Sequence, residues 1–185
     1  LIYDLLTNRT NKRFLDYFDN LNTNLDIMFH KVFLDANSYL ENLNGNVEFN
    51  KNKIISVNLI SLFPNKDKFS FSIKPGNNNQ KITALYSDNA EPFVKKFNFI
   101  KGFKGGKIDF FSINKNNVSK SNIKIFKFKV RDVPALATLL SLASLQGIAD
   151  LMTGEGIRFE EFDMKFSNKN DLMTIDEIYA IGPAI

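Results

Sequence analysis

The sequence predicts a mainly β fold with a few helices (α+β), built as a curved antiparallel β-meander that forms part of an elongated groove, with an apolar helix near 134–152. Three observations predict it. Apolar residues recur at every second position through much of the chain. Turn signals rich in Asn and Gly separate these runs at meander spacing. One apolar stretch, from Pro134 to Met152, is too long for a strand and sits between Pro and Gly punctuation.

Residues 1–19 carry Leu1, Leu5, Leu6, Phe14, Leu15 and Phe18, a helical spacing interrupted by Thr7-Asn-Arg-Thr-Asn11. From there the period is two. Leu25, Ile27 and Phe29 alternate with Asp26 and Met28, and Ile55, Val57 and Leu59 alternate with Ser56 and Asn58. Phe69, Phe71 and Ile73 follow, then Ile82, Ala84 and Tyr86. Such alternation gives one apolar and one wet face. Asn44-Gly45, Asn50-Lys-Asn52, Pro75-Gly76-Asn77 and Asn114-Lys-Asn-Asn117 read as turns.

A second helix is predicted from Asp88, with Glu91 completing a capping box, Phe93, Val94 and Phe97 on one face, and an end before Gly102. Gly105 and Gly106 read as a tight turn into the strand Lys107-Ile-Asp-Phe110. In the run Ile123–Val130 the apolar phase slips between Ile125 and Phe126, which predicts a β-bulge. Phe159, Phe162, Met164 and Phe166 lead through residues 168–171 into Leu172-Met-Thr-Ile175 as a hairpin.

The apolar helix starts at Pro134, suited to a first turn, and closes before Gly154. It would be a rod of about 28 Å at 1.5 Å per residue. Leu136, Leu139, Leu140, Leu145 and Ile148 are its candidate apolar contacts. It can cap a trough, lie on a membrane surface or serve as core. Spanning a bilayer fits least, because about 20 strongly apolar residues are required and Gln146 and Asp150 lie inside it.

Candidate chemistry is sparse. The chain has no Cys and a single His, so thiolate metal sites and the usual nucleophile triads are excluded. His30 reads as a structural strand residue. Glu160/Glu161 and Asp176/Glu177 are adjacent pairs, which on a strand point to opposite faces. Gly102-Phe-Lys-Gly-Gly-Lys107 lacks the Ser or Thr and the following helix of a phosphate-cradling loop. No catalytic residue, cofactor site or metal site is assigned. Residues 101–131 carry nine basic residues against Asp109, and residues 132–185 carry three basic against nine acidic. Such a basic stretch beside an acidic one can steer an anionic partner, but Lys, Asn, Ile and Phe all have AT-rich codons, and codon bias is the stronger reading of their abundance. Alternation puts the lysines and rings of 124–130 on opposite faces, which argues against nucleic-acid binding.

The run Asp88-Asn-Ala-Glu-Pro-Phe-Val-Lys-Lys-Phe97 with Gly105-Gly106-Lys107-Ile108 resembles a block of the AsmA-like proteins of the YhdP branch. Val133-Pro-Ala-Leu-Ala-Thr-Leu-Leu-Ser-Leu-Ala-Ser-Leu-Gln-Gly-Ile148 with Gly154-Glu-Gly-Ile-Arg-Phe159 is similar to a second, and Ala180-Ile-Gly-Pro-Ala-Ile185 to a third. The likeness covers roughly 85–185. Asn89 and Glu91 depart from the family pattern, which tends to have Gly after Asp and Ala. The resemblance implies an internal fragment of a large envelope protein of a Gram-negative bacterium, periplasmic and anchored to the inner membrane by parts outside this chain. It implies a non-enzymatic, bridge-like carrier of phospholipid between the membranes that supports outer-membrane integrity.

The periodicity agrees with that physics. A sheet with one apolar face left partly unfilled shelters acyl chains, and two C16 tails are worth roughly 25 kcal/mol at about 0.8 kcal/mol per CH₂. The candidate groove residues are Ile55, Val57, Leu59, Phe69, Phe71, Ile73, Ile82, Tyr86, Ile108, Phe110, Phe126, Phe128 and Val130. Three other readings remain open: a closed core whose apolar face is filled, a scaffold for outer-membrane assembly that binds partners through its sheet edges, and an envelope hydrolase, which would need a nucleophile–base pair that the sequence does not show. Oligomeric state is not readable.

Overall fold

The computed structural model describes residues 22–51, 53–95, 102–131, 156–170 and 172–182. Its strands are β1 (Thr23–Phe33), β2 (Tyr39–Asn50), β3 (Lys53–Leu62), β4 (Lys68–Pro75), β5 (Lys81–Ser87), β6 (Phe103–Lys115), β7 (Val118–Val130), β8 (Ile157–Lys169) and β9 (Leu172–Ile181). They form one nine-stranded sheet in sequence order. Every neighbouring pair is antiparallel. β1 does not pair with β9, so the sheet is open, and it curls. The mainly β antiparallel meander is therefore as the alternation predicts. The helical segments 1–19 and 134–152, with Leu136, Leu139, Leu140, Leu145 and Ile148, lie outside the described residues.

The two ends of the sheet differ. At one end tight hairpins close β2–β3, β4–β5, β6–β7 and β8–β9. Asn116 and Asn117 form a two-residue turn between the paired Lys115 and Val118, with φ of 51° and 62°. Positive φ at both positions is the type I′ geometry that matches strand twist, and Asn tolerates it. Lys51, Asn78, Asn79 and Asn170 take the same left-handed region in the other hairpins. The opposite end carries the longer connections, including α1 (Glu91–Val94) between β5 and β6.

Asn44-Gly45 is not a turn. Both residues lie inside β2, just after the irregularity between Glu41 and Asn44 where Asn42 is the extra residue. A Cβ on Gly45 would stand 1.8 Å from the Asn58 carbonyl oxygen of β3, so the glycine permits close backbone approach. The capping box is corrected too. The N-cap of α1 is Ala90, without a side-chain cap, and the Glu91 carboxylate accepts from the Gly105 N–H at 3.2 Å instead.

The phase slip in β7 is real, but no residue is inserted. Ile125 and Phe128 are both buried, three positions apart, while the register with β6 and β8 runs unchanged through them. One row, Gly106, Lys127 and Glu160, drops out of both ladders. Lys127 has φ 53° and Gly106 has φ 81°, which turns the pleat over without changing the count. Gly105 and Gly106 thus lie within β6 and do not form the predicted turn. A Cβ on Gly106 would meet Phe128 Cβ at 2.9 Å.

Candidate functional site

The sheet has a charged outer face and an apolar inner one. On the outer face, Lys124 pairs with Asp163 at 3.0 Å and with Glu161 at 3.7 Å, and Lys165 pairs with Glu177 at 2.7 Å. The basic 101–131 stretch therefore meets the acidic C-terminal strands as direct neighbours. A bulge at Asp176 keeps it beside Glu177 on this face. Ser167 Oγ donates to Asp176 at 3.4 Å, so this acidic pair does not straddle the sheet. Exposed ion pairs of this kind contribute little stability singly but keep the face wet.

Asp88 ties the crossover end together. Its carboxylate accepts from the Tyr86 hydroxyl at 2.6 Å and the Lys68 N–H at 2.9 Å, and pairs with Lys107 at 3.0 Å. These contacts, the tyrosine hydrogen bond foremost, hold its pKa down at about 2. The Ala90 N–H donates to the Gly106 carbonyl at 2.8 Å. The segment 88–91 and the glycine pair 105–106 are thus clasped to each other.

Pairing registers place inner-face residues in rows that run across the strands. The first row is Ser61, Phe69, Ser87, Ile108, Ile125, Phe162 and Ala180. The second is Leu59, Phe71, Leu85, Phe110, Ile123, Met164 and Ile178. The third is Val57, Ile73, Thr83, Ser112, Ser121, Phe166 and Ile175. The last, at the hairpin end, is Pro75, Lys81, Asn114, Ser119, Asn168 and Met173. Beyond the pleat inversion, Phe103, Phe128 and Phe159 stack with centroids 5.1 and 5.0 Å apart. Phe93 of α1 stacks on Phe69 at 5.7 Å.

Most predicted groove residues reach this face. Val57, Leu59, Phe69, Phe71 and Ile73 are only 1–2% exposed, and Ile108, Phe128 and Val130 are also buried. Phe110 is half-buried and packs on the same cluster. The β3–β4 part of the face is therefore filled core. Four assignments are corrected. Ile82 and Tyr86 lie on the outer face of β5, whose inner residues are Thr83, Leu85 and Ser87. Phe126 faces out between Lys107 and Glu161 because the pleat inverts at Lys127. Ile55 is the extra residue at the β2–β3 irregularity, so Ile54 takes the inward place.

Exposed apolar side chains concentrate on the two edge strands, with Leu25, Met28, Phe29 and Phe33 exposed on β1 as well as the residues of β9. Ile178 is 60% and Ile175 is 53% exposed on β9, next to half-buried Met164 and Phe166. Sequence reasoning stopped the last strand at Ile175, yet it continues to Ile181. Buried hydroxyls are satisfied by local bonds: Ser87 donates to the Asn89 carbonyl, and Ser61 to that of Glu41, each at 2.7 Å. Ser121 donates to Ser112 at 2.9 Å.

Among the described residues no group of three His, Asp or Glu is placed to hold a metal ion. No described helix is long and apolar enough to cross a membrane. His30 is exposed on β1. No protein-family model, curated protein or solved structure matches the chain.

Proposed function

We propose that this chain is part of a bridge-like lipid carrier that moves phospholipid between inner and outer membrane and supports outer-membrane integrity. In this reading it works in the periplasm, without catalysis, as a segment of an inner-membrane-anchored protein of the AsmA-like kind. One observation carries it: a single open sheet has an inner row, Leu59 to Ile178, that is apolar across β3–β9, filled at β3–β4, half-buried at Met164 of β8 and exposed at Ile178 of β9. The acyl path therefore runs beside Met164, Phe166, Ile175 and Ile178. These side chains offer interchangeable apolar contact, which lets a tail slide with little change in energy at each step.

Photocrosslinking in cells from positions 164 and 178, with position 71 as a buried control, tests the proposal. Lipid adducts at 164 and 178 but not 71 are expected, and their absence at 164 and 178 refutes the carrier. A scaffold reading draws on the free side of β9, whose backbone groups have no strand partner among the described residues. Native mass spectrometry separates the two: co-purified phospholipid supports the carrier, and lipid-free protein with a bound polypeptide supports the scaffold.

A further inference from the structure

The inner face changes character along the strands. Its second row is apolar throughout. The third row holds Thr83, Ser112 and Ser121 at its centre, and the last holds Lys81, Asn114 and Ser119. Successive inner rows are two residues apart, about 6.8 Å. The face therefore passes from hydrocarbon-like to hydroxyl to amide and amine within about 14 Å.

Lys81 differs from the paired lysines of the outer face by its burial and, among the described residues, its lack of a carboxylate partner. Lys107, Lys124 and Lys165 each have a carboxylate partner. Lys81 is half-buried on the inner side and has no ion pair among the described residues. Burial lowers its pKa, in keeping with an ammonium that has lost water without gaining an anion. An uncompensated, partly desolvated cation at the polar end of an apolar face calls for an anionic ligand. The last row holds no carboxylate, and so nothing to receive a choline or ethanolamine cation.

We infer that the hairpin end of the inner face on β5–β8 is a headgroup site for an anionic phospholipid. The phosphate sits at Lys81, the glycerol ester region lies against the half-buried Thr83 and Ser119, and the tails run toward Phe110, Ile123 and Met164. This rests on the carrier reading and adds both a lipid class and an orientation: tails lie along the strands, and headgroups file past the Asn-rich hairpins.

The test is equilibrium binding of fluorescent short-chain phosphatidylglycerol, matched phosphatidylcholine and matched diacylglycerol. The proteins are wild type, Lys81→Met and Lys120→Met, the last an outer-face lysine at the same end. Wild type is expected to prefer phosphatidylglycerol over both other lipids by about tenfold, the scale of one charge-assisted hydrogen bond. Lys81→Met should erase that preference while keeping diacylglycerol affinity, and Lys120→Met should keep it. Equal binding of all three lipids by wild type overturns the headgroup site and leaves the carrier standing. A preference that survives Lys81→Met, or falls equally in Lys120→Met, also overturns the site. No lipid binding at all overturns both.

Discussion

Placing one carboxylate at Phe71 and another at Ile178 separates filled wall from open path, because both positions lie on the same inner row. Phe71 is 1% exposed in the centre of β4, whereas Ile178 is 60% exposed. Removing the Phe71 ring costs about 3–5 kcal/mol as a large-to-small core change. Burying a carboxyl group there without a partner adds about 2 kcal/mol or more. Against a total stability of about 5–15 kcal/mol, Phe71→Asp should largely unfold the chain. Ile178 has little left to lose: under half of a side chain worth about 1.5–3 kcal/mol on full burial, or about 1 kcal/mol. Urea titration followed by circular dichroism should show no cooperative transition for Phe71→Asp and a modestly lowered midpoint for Ile178→Asp. In a fluorescence assay of lipid transfer between donor and acceptor vesicles, Ile178→Asp should fall several-fold while remaining folded. Wild-type transfer by Ile178→Asp would refute the path along β9. A normally folded Phe71→Asp would refute the sealed core.

Three further outcomes follow from local geometry. Asp88 has its folded pKa held at about 2 against an ordinary 3.8. Its stabilising contribution is complete above about pH 4 and is lost as pH falls through that window. Asp88→Asn should flatten this part of the acid-unfolding curve. Gly45→Ala drives a Cβ into the Asn58 carbonyl of β3 and should shift the urea midpoint by well over 1 kcal/mol equivalent, with β2–β3 amides exchanging faster. Asn117→Val forces a β-branched residue to φ 62° and should destabilise by about 1–2 kcal/mol in the same titration.

Strands with clean alternation were legible in the sequence, and β3, β4 and β8 sit where their Phe, Ile and Val spacing puts them. β2 was missed for a physical reason. Leu40, Leu43 and Val47 are its buried inward residues: the bulge at Asn42 gives the spacing of three, and Gly45 at the intervening inward position gives the spacing of four. Asn44-Gly45 then mimicked a hairpin. In β5 the period was right and the side wrong, because Thr83 and Ser87 are less apolar than Ile82 and Tyr86. Ser87 is nevertheless fully buried, its hydroxyl paired with Asn89. The pleat inversion across β6–β8 left a trace at Ile125/Phe126, but backbone handedness without insertion has no apolar signature of its own. Lys81 was invisible as a site residue because its meaning depends on the row it shares with Asn114 and Ser119.

Apart from α1, which lies against β6 and stacks Phe93 on Phe69 of β4, the close backbone contacts between described elements join each strand to its immediate successor in the chain. Such a structure behaves like a zipper whose teeth engage only the next tooth. Amide exchange should therefore be slowest in β4–β7 and quicken stepwise toward β1 and β9, since each outer strand can peel without disturbing the rest. A lineage that adds or deletes a hairpin at either border changes the length of such a ribbon while leaving the bonds of every other strand intact.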